Sequence, residues 1–253
     1  MKIILITQDE PIYILPAVNR LLKLLPERFT IVSCVVLSPS PFGKREGFLR
    51  KSKKMLNVFG LEFFIYYSYV FIFKRLFSPS LTKILNWHGV EKIRLEENIN
   101  HHSSLEKLKS VKPDLLISIA GNEIFKKPLI ELAPLGCLNL HTGLLPKYRG
   151  LMPTFWALKN NEKEIGVSVF YVDPGIDSGP IIVQRKIPAN NRAQSDLIKK
   201  TKKVGMDCII EALENIANNS VTIQSNDDSQ STYFGFPTRD DVRAFKKSGA
   251  KFF

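Results

Sequence analysis

The sequence of 253 residues predicts an α/β fold, in which a mainly parallel sheet carries helices on both faces. Three observations lead to this prediction. Short apolar runs rich in β-branched residues recur along the chain, segments with apolar residues at helical spacing separate them, and turn residues lie between the two kinds. Hydrophobic residues make up 44% of the chain, which is enough for one sizeable core.

The strands are predicted from apolar runs bounded by turn residues. The first run, KIILIT at 2–7, is too short for the core of a signal peptide and is interpreted as the opening strand. Two later runs are joined by the turn DPGIDSG. The remaining predicted strands span 29–38, 114–120, 137–141, 166–172 and 180–187.

The helices between these strands are predicted from apolar residues three and four apart. Residues 14–25 and 104–111 show this spacing, and Pro153 suits the first turn of a helix over 153–160. Strands that alternate with helices form a parallel sheet covered on both faces. Ligands of such sheets bind beyond the carboxyl ends of the strands, so we expect a site at that edge of the sheet.

The last third of the chain predicts a long amphipathic helix over 194–217, with Ser195 as its N-cap. Thr238, followed three residues later by Asp241, resembles a capping box and predicts a short helix over 239–247. A disordered tail is the alternative. We therefore expect one domain over 1–217, followed by a linker and C-terminal tail over 218–253.

Residues 40–80 interrupt the alternation and are interpreted as an insertion. A basic, glycine-containing stretch leads into an apolar one, whose uncharged part, 63–73, has 11 residues and is too short to span a bilayer. The favoured interpretation is a buried or dimer-forming helix. The alternative is a helix that lies on an anionic membrane surface through flanking basic residues, namely Lys51, Lys53, Lys54, Lys74 and Arg75.

Charge and cysteine content limit the partners and the compartment. The net charge of +12 and the pI near 9.6 favour partners with phosphate, such as nucleic acid, an anionic membrane or a phosphorylated small molecule, although many basic proteins have no such partner. Cys34, Cys137 and Cys208 are odd in number and widely spaced. They indicate a reduced, cytoplasmic compartment without disulfides.

Polar residues gather where two of the predicted strands end. Asn139 and His141 are two residues apart on one strand and so project from the same face, while Leu138 and Leu140 project from the other. The loop after them is rich in Gly and Pro and carries Lys147 and Arg149. The later turn DPGIDSG would bring Asp177 to His141 if it lay beside the end of this strand.

An amide, an imidazole and a carboxylate support direct group transfer better than other chemistries. No Ser or Cys lies in a nucleophile-elbow context, and the four histidines show no metal-ligand spacing, so neither covalent catalysis nor a metal site is expected. The Asn amide can donate to an oxyanion, and the imidazole can move a proton while the carboxylate holds it. The set suits attack by an amine on an activated one-carbon acyl group.

These residues carry a resemblance. Asn139-x-His141, LLPKYRG at 144–150 and GIDSGPIIVQ at 175–184 together resemble the N10-formyltetrahydrofolate-dependent formyltransferase family. The resemblance implies a Rossmann-like formyltransferase fold, N10-formyltetrahydrofolate as co-substrate and a catalytic trio of Asn139, His141 and Asp177. It also implies a pterin slot formed by Glu123, Ile124, Phe125, Val172, Asp173, Pro174, Gly175 and Ile176. The family often has Ser where this chain has Gly143.

Three features bear on the acceptor amine. The turn after the first strand, TQDEPIYILPA, has no glycine and two acids, which disfavours a ribonucleotide phosphate there. Only 36 residues follow Ala217, which disfavours the C-terminal barrel that accompanies tRNA acceptors in this family. A nucleotide-linked amino sugar fits best, because its diphosphate would use the excess of Lys and Arg. Phosphoribosylglycinamide and methionyl-tRNA acceptors remain as alternatives.

Two functions outside catalysis remain open, as does the oligomeric state. Tyr148 and Arg149 in a basic loop motivate nucleic-acid binding, and residues 44–75 motivate membrane-surface binding. Residues 55–73 and the aromatic tail offer more apolar surface than one domain needs, so a homodimer is expected. The tail residues concerned are Phe234, Phe236, Phe245, Phe252 and Phe253.

Overall fold

The computed structural model describes residues 1–37, 47–190 and 193–253, with Phe48 described by its backbone alone. The strands are β1 Lys2–Gln8, β2 Thr30–Leu37, β3 Glu91–Ile93, β4 Leu115–Ile119, β5 Cys137–His141, β6 Arg149–Gly150, β7 Glu164–Tyr171, β8 Ile181–Pro188 and β9 Tyr233–Phe234. The helices are α1 Ile14–Leu24, α2 Phe48–Phe59, α3 Leu61–Phe77, α4 Leu81–Trp87, α5 His102–Ser110, α6 Lys127–Ile130, α7 Pro153–Lys159, α8 Gln194–Ala217 and α9 Arg239–Lys247.

Seven strands form one sheet in the order β3-β2-β1-β4-β5-β7-β8. The first five are parallel to one another, whereas β7 pairs antiparallel with both β5 and β8. The predicted mainly parallel α/β sheet is thereby confirmed. The β7–β8 pair is antiparallel because the turn that joins these strands is too short for the crossover that parallel neighbours require.

Helices cover both faces of the sheet, as predicted. On one face, α1 and α8 pack over Ile3, Leu5 and Leu138. On the other face, α5 and α6 pack over Ile4, Ile6 and Leu116 through Leu108 and Leu129. Alternate residues of β1 therefore enter opposite cores, as the two-residue period of a strand requires. Burial on both faces explains why these strands read as continuous apolar runs.

The interruption between β2 and β3 contains the helices α2 and α3, and it differs from the favoured prediction. No residue of α3 is buried, and many of its large apolar side chains are exposed. The buried form of this helix is wrong within the described residues, because only one side of α3 meets the rest of the chain, whereas its dimer-forming role stays a prediction. Positions 38–46, including part of the basic stretch, lie outside the described residues.

The C-terminal tail packs on the domain. The helix predicted over 239–247 is confirmed as α9, with a capping box between Thr238 and Asp241. Phe245 and Phe252 are buried and stack on each other with ring centroids 4.6 Å apart. These tail rings are therefore core, and the expectation that they offer apolar surface for a dimer is wrong.

One predicted cap is also wrong. The N-cap of α8 is Ala193, and Ser195 is the second residue of the helix. The first amides of this helix donate to the C-terminal segment instead, from Gln194 to the carbonyl of Lys251 and from Ser195 to that of Phe252. Tertiary hydrogen bonds thus replace the local cap, which the local sequence pattern does not reveal.

Candidate active site

β5 presents the two polar residues that the sequence singled out. Leu138 and Leu140 enter the core beneath α8, while Asn139 and His141 line a cavity on the opposite face. The side chain of Asn139 is half-buried and makes no hydrogen bond to the described part of the chain. A β-strand interior fixes where this amide lies, yet its two N–H donors and its oxygen remain available to a ligand.

The two ring nitrogens of His141 have different surroundings: one bonds to a backbone carbonyl and the other lies near a carboxylate. Nε2 lies 2.7 Å from the carbonyl oxygen of Tyr148. Because a carbonyl only accepts, Nε2 carries the hydrogen, and Nδ1 bears the lone pair of the neutral ring. Nδ1 lies 3.5 Å from a carboxylate oxygen of Asp177. A proton taken up at Nδ1 would therefore form an ion pair with Asp177.

The turn between β7 and β8 delivers Asp177 along a path that differs from the predicted one. Its first residue, Val172, bonds to the carbonyl of Cys137 at the start of β5, since β7 runs antiparallel to that strand. The turn then runs back along β5 to reach His141. Asp177 has a φ of 50° and accepts the amide of Gly150 at 2.8 Å. The predicted contact at the end of β5 forms, although the turn reaches it from an antiparallel strand instead of a parallel one.

Asp173 and two glycines shape this turn. The carboxylate of Asp173 accepts the amide of Gly175 at 3.1 Å and the hydroxyl of Ser178 at 2.7 Å. A β-carbon on Gly179 would meet the carbonyl oxygen of Tyr171 at 1.8 Å. The turn is thus too tight for a side chain at this position.

The cavity has a volume of about 320 Å³ and joins the trio to the predicted slot. Glu123, Ile124 and Phe125 line it after β4, as do Val172, Asp173, Gly175 and Ile176 after β7. Pro174 is exposed and does not line the cavity, so the structure does not bring it to the slot. The carboxylate of Glu123 also accepts one hydrogen bond from the side chain of Asn98 and one from the backbone amide of Ile99.

Similarity to known proteins identifies the family of this chain. The family model described as formyl transferase matches residues 88–213. A methionyl-tRNA formyltransferase of Kosmotoga olearia is 36% identical over 170 residues, which cover 67% of this chain and 54% of that protein. The chain belongs to the formyl transferase family. The sequence-based recognition of the family is thereby confirmed.

Two solved structures show how the family fold extends over the chain. An N-formyltransferase from Helicobacter canadensis, in complex with folinic acid and dTDP-3-aminofucose, matches with a TM-score of 0.59 and 20% identity, covering 98% of this chain and 80% of that one. Glycinamide ribonucleotide transformylase 1 from Symbiobacterium toebii matches with a TM-score of 0.61 and 18% identity, covering 89% and 92%. This family member spans about half the length of the curated relatives it matches.

The loop that follows β5 in this family member is buried rather than free. The guanidinium of Arg149 bonds to Asp228 at 2.7 Å and to the side chain of Asn226 at 2.9 Å. The Tyr148 ring stacks on Phe234, and burial raises the pKa of its phenol to about 12. The basis for a nucleic-acid surface at Tyr148 and Arg149 is therefore wrong, because neither side chain is free to bind a partner.

The tail completes the site, which sequence patterns did not reveal. β9 pairs with β6, so the amides of Arg149 and Leu151 donate to tail carbonyls. The side chain of Asn226 donates to the carbonyl of Asp177 and to that of Gly179, both at 2.9 Å. The tail therefore holds the loop that positions His141 and the turn that carries Asp177.

Further cavity residues were missed because they carry no motif. Lys202 stands out among them: it lies within a run rich in lysine on α8, and it makes no hydrogen bond or ion pair with the described residues. Burial lowers the pKa of its ammonium to about 8. The others include Gln8, Ser118, Thr142, Met152 and Phe170.

The start of α1 is closed to anions. The carboxylate of Glu10 accepts the amides of Ile12, Tyr13 and Ile14 at 2.8, 2.7 and 3.1 Å. These are the N-terminal helix donors that would otherwise bind a phosphate. A phosphate at this helix end would have to displace a carboxylate that already uses the donors.

Neither a metal cluster nor a membrane span occurs in the ranges that the structure describes. No group of three His, Cys, Asp or Glu side chains within them is placed to hold a metal ion. The helices in the same ranges are too short or too polar to cross a bilayer.

Proposed function

We propose that this chain transfers a formyl group from N10-formyltetrahydrofolate to the primary amine of a nucleotide-linked amino sugar. One observation carries the proposal: Asn139, His141 and Asp177 converge on a single cavity beside the backbone segments 121–125 and 172–176. The cavity volume of about 320 Å³ is at the lower end for small-molecule sites. Family membership and the folinic acid bound to the Helicobacter canadensis protein support the donor.

Asn139 is suited to bind the oxygen that gains charge during transfer. N10-formyltetrahydrofolate supplies an activated one-carbon acyl group, and attack by the amine moves negative charge onto the formyl oxygen. The free amide of Asn139 donates to that oxygen from a fixed strand position. Its rigidity matters, because a donor already in place need not reorganise as the charge develops.

His141 and Asp177 are suited to move the proton. Nδ1 of His141 accepts a proton from the attacking amine and returns it to the nitrogen that leaves the formyl carbon. Nε2 stays bonded to Tyr148 throughout, which keeps the ring in one orientation. Asp177 stabilises the imidazolium between the two transfers, while the Gly150 amide fixes its carboxylate.

Two features support a nucleotide-linked sugar as acceptor. Glu10 closes the helix end where a ribonucleotide phosphate would be expected, which disfavours phosphoribosylglycinamide. Lys202, which has no hydrogen-bond or ion-pair partner among the described residues, lies on the same cavity as the trio, where its ammonium can bind an anionic group of the acceptor. In addition, the sugar-type structure from Helicobacter canadensis covers nearly the whole chain.

Methionyl-tRNA is the second candidate acceptor. The curated relatives that match are methionyl-tRNA formyltransferases, at up to 36% identity over the shared region. Those matches leave about half of each relative uncovered, so they support the shared catalytic region and leave the acceptor undecided.

An acceptor panel tests the proposal. Purified protein and N10-formyltetrahydrofolate would be incubated with dTDP-linked 3-amino and 4-amino sugars, with phosphoribosylglycinamide and with charged initiator tRNA, and products would be read by mass. We expect the formyl increment on an amino sugar only. Formylation of methionyl-tRNA alone would replace the acceptor but keep the chemistry, and no formylation of any amine would reject both. An Asn139→Ala sample is the negative control.

A further inference from the structure

The outer face of α3 is a continuous apolar surface, which we call the α3 face. Its central residues recur at intervals of four, four, three and four, which places them on one side of the helix. Each is between 56% and 70% exposed, a degree of exposure unusual for so many large apolar side chains on one helix. These residues are Leu61, Ile65, Tyr69, Ile72 and Leu76.

The opposite side of α3 attaches the helix to the domain. Phe63 stacks on Phe59 and meets Phe252, with both ring centroids 4.7 Å away. Tyr67 stacks on Phe63, and near the other end Arg75 bonds to Asp9 at 2.9 Å. The helix is therefore seated without the α3 face, so its outer side chains are not required for packing of the described chain.

The charges around the α3 face are mostly positive. Between residues 48 and 77 the sequence has six basic residues, of which Arg75 pairs with Asp9, and one acidic residue, Glu62, which pairs with Lys246. Arg50 and Lys53 are exposed on the adjoining helix α2. The whole chain also carries a net charge of +12. An apolar surface in this setting matches a partner that is apolar within and negatively charged at its surface.

We propose that the α3 face docks on the surface of an anionic lipid bilayer. A second copy of the chain is a poorer occupant, because pairing two such faces brings two positively charged α2–α3 segments together. The helix has 17 residues, about 25 Å in length, with charged residues near both ends, so it lies in the interface instead of crossing the bilayer. Tyr69 suits this level of the bilayer, since its ring is apolar and its hydroxyl polar.

The proposed surface lies near the edge of the sheet that carries the cavity. Asp9, which pairs with Arg75, directly follows β1 at its carboxyl end. Docking would thus hold this edge close to the lipid headgroups. The inference concerns where the protein acts and does not depend on the acceptor proposed above.

Vesicle co-sedimentation tests the inference. The full chain would be mixed with vesicles of phosphatidylcholine containing phosphatidylglycerol, or of phosphatidylcholine alone, and the bound fraction measured. We expect binding to the anionic vesicles, at least tenfold weaker binding to the neutral ones, and a similar loss for Ile72→Glu. Ile223→Glu is the matched control, because Ile223 is an apolar residue 61% exposed elsewhere on the surface; it should bind like the parent.

Two further measurements make the test decisive. Arg50→Gln with Lys53→Gln should weaken binding to anionic vesicles while the thermal unfolding temperature stays unchanged. Light scattering reports whether Ile72→Glu dissociates a dimer. Recovery of the parent protein in the supernatant with anionic vesicles overturns the proposal, and so does a dimer that this substitution disrupts. Formyl transfer to a soluble acceptor is measured in parallel, since it should survive every one of these substitutions.

Discussion

The proposed role of Asn139 can be tested directly by substitution. Its amide lines the cavity and has no hydrogen-bond partner in the described part of the chain, so removing it leaves no group there unsatisfied. We expect Asn139→Ala to lower kcat by about 10²–10³, the usual effect of losing one oxyanion donor. Asp177→Asn should cost at least as much, because the imidazolium loses its counter-charge. The exposed Asn86→Ala serves as the control, and near-normal turnover in either site variant would contradict the mechanism.

Gly143 is the position at which this chain departs from the pattern that the sequence analysis gave for the family. A β-carbon at residue 143 would lie 2.7 Å from Nε2 of His141 and 3.1 Å from Pro153. Gly143→Ala should therefore displace the imidazole and lower kcat at least tenfold, with little loss of stability. Gly47→Ala is a suitable control, because no described residue lies within 4 Å of its added carbon. Full activity of Gly143→Ala would show that the loop tolerates a side chain.

Lys202 should give stability a dependence on pH. Its pKa is lowered to about 8 in the folded protein from 10.5, chiefly by burial, so the unfolded chain binds more protons between these values. Stability from this group therefore rises with pH from about 8 to about 10.5. Lys202→Met should be more stable than the parent at pH 7, by at most about 3 kcal/mol, and the difference should shrink toward pH 10.

Thermal or urea unfolding at several pH values measures this difference. Lys203→Met, which removes an exposed lysine from the same helix, is the matched control for the loss of a charge. A constant difference between Lys202→Met and the parent across this range would exclude the buried ammonium as its cause.

At the scale of elements, Asn226 connects the C-terminal tail to the turn between β7 and β8 that carries Asp177. Asn226→Ala removes the donor to the carbonyls of Asp177 and Gly179. We expect kcat to fall about tenfold with a smaller change in KM, because the turn loses position while the cavity keeps its lining. Gln230→Ala, an exposed change in the same tail, should leave kcat unaltered, and equal losses in both variants would indicate a general loosening.

Sequence patterns predicted helices and strands well where the periodicity of apolar residues decides the type of element. The buried strands β1, β4 and β5 were found because burial on both faces leaves a continuous apolar run. The short strands β3, β6 and β9 were missed, since two or three residues carry no period. Helix α3 was misjudged because an apolar helix looks alike in sequence whether its outer side is covered or exposed.

For the whole molecule, local motifs predict which residues meet better than they predict the course of the chain that brings them together. Asn139, His141 and Asp177 could be grouped from strand periodicity and family motifs together. Three other features could not be predicted, because each depends on segments far apart in sequence. They are the antiparallel course of β7, the burial of Arg149 and the position of Lys202 in the cavity. The positive charge shows the same limit. Arg149 is buried and paired inside the fold, whereas Lys202 lines the cavity without an ion-pair partner in the ranges that the structure describes.

The pairing of β6 with β9 turns the tail into a reporter of ligand occupancy. The amides of Arg149 and Leu151 point at Thr232 and Phe234, 2.9 and 2.8 Å away. A folate ligand that reduces the mobility of the loop after β5 should slow deuterium uptake at these amides, as measured by mass spectrometry of peptic peptides. Peptides from α3 should exchange as before, so backbone isotope labelling can detect donor binding even before an acceptor is known.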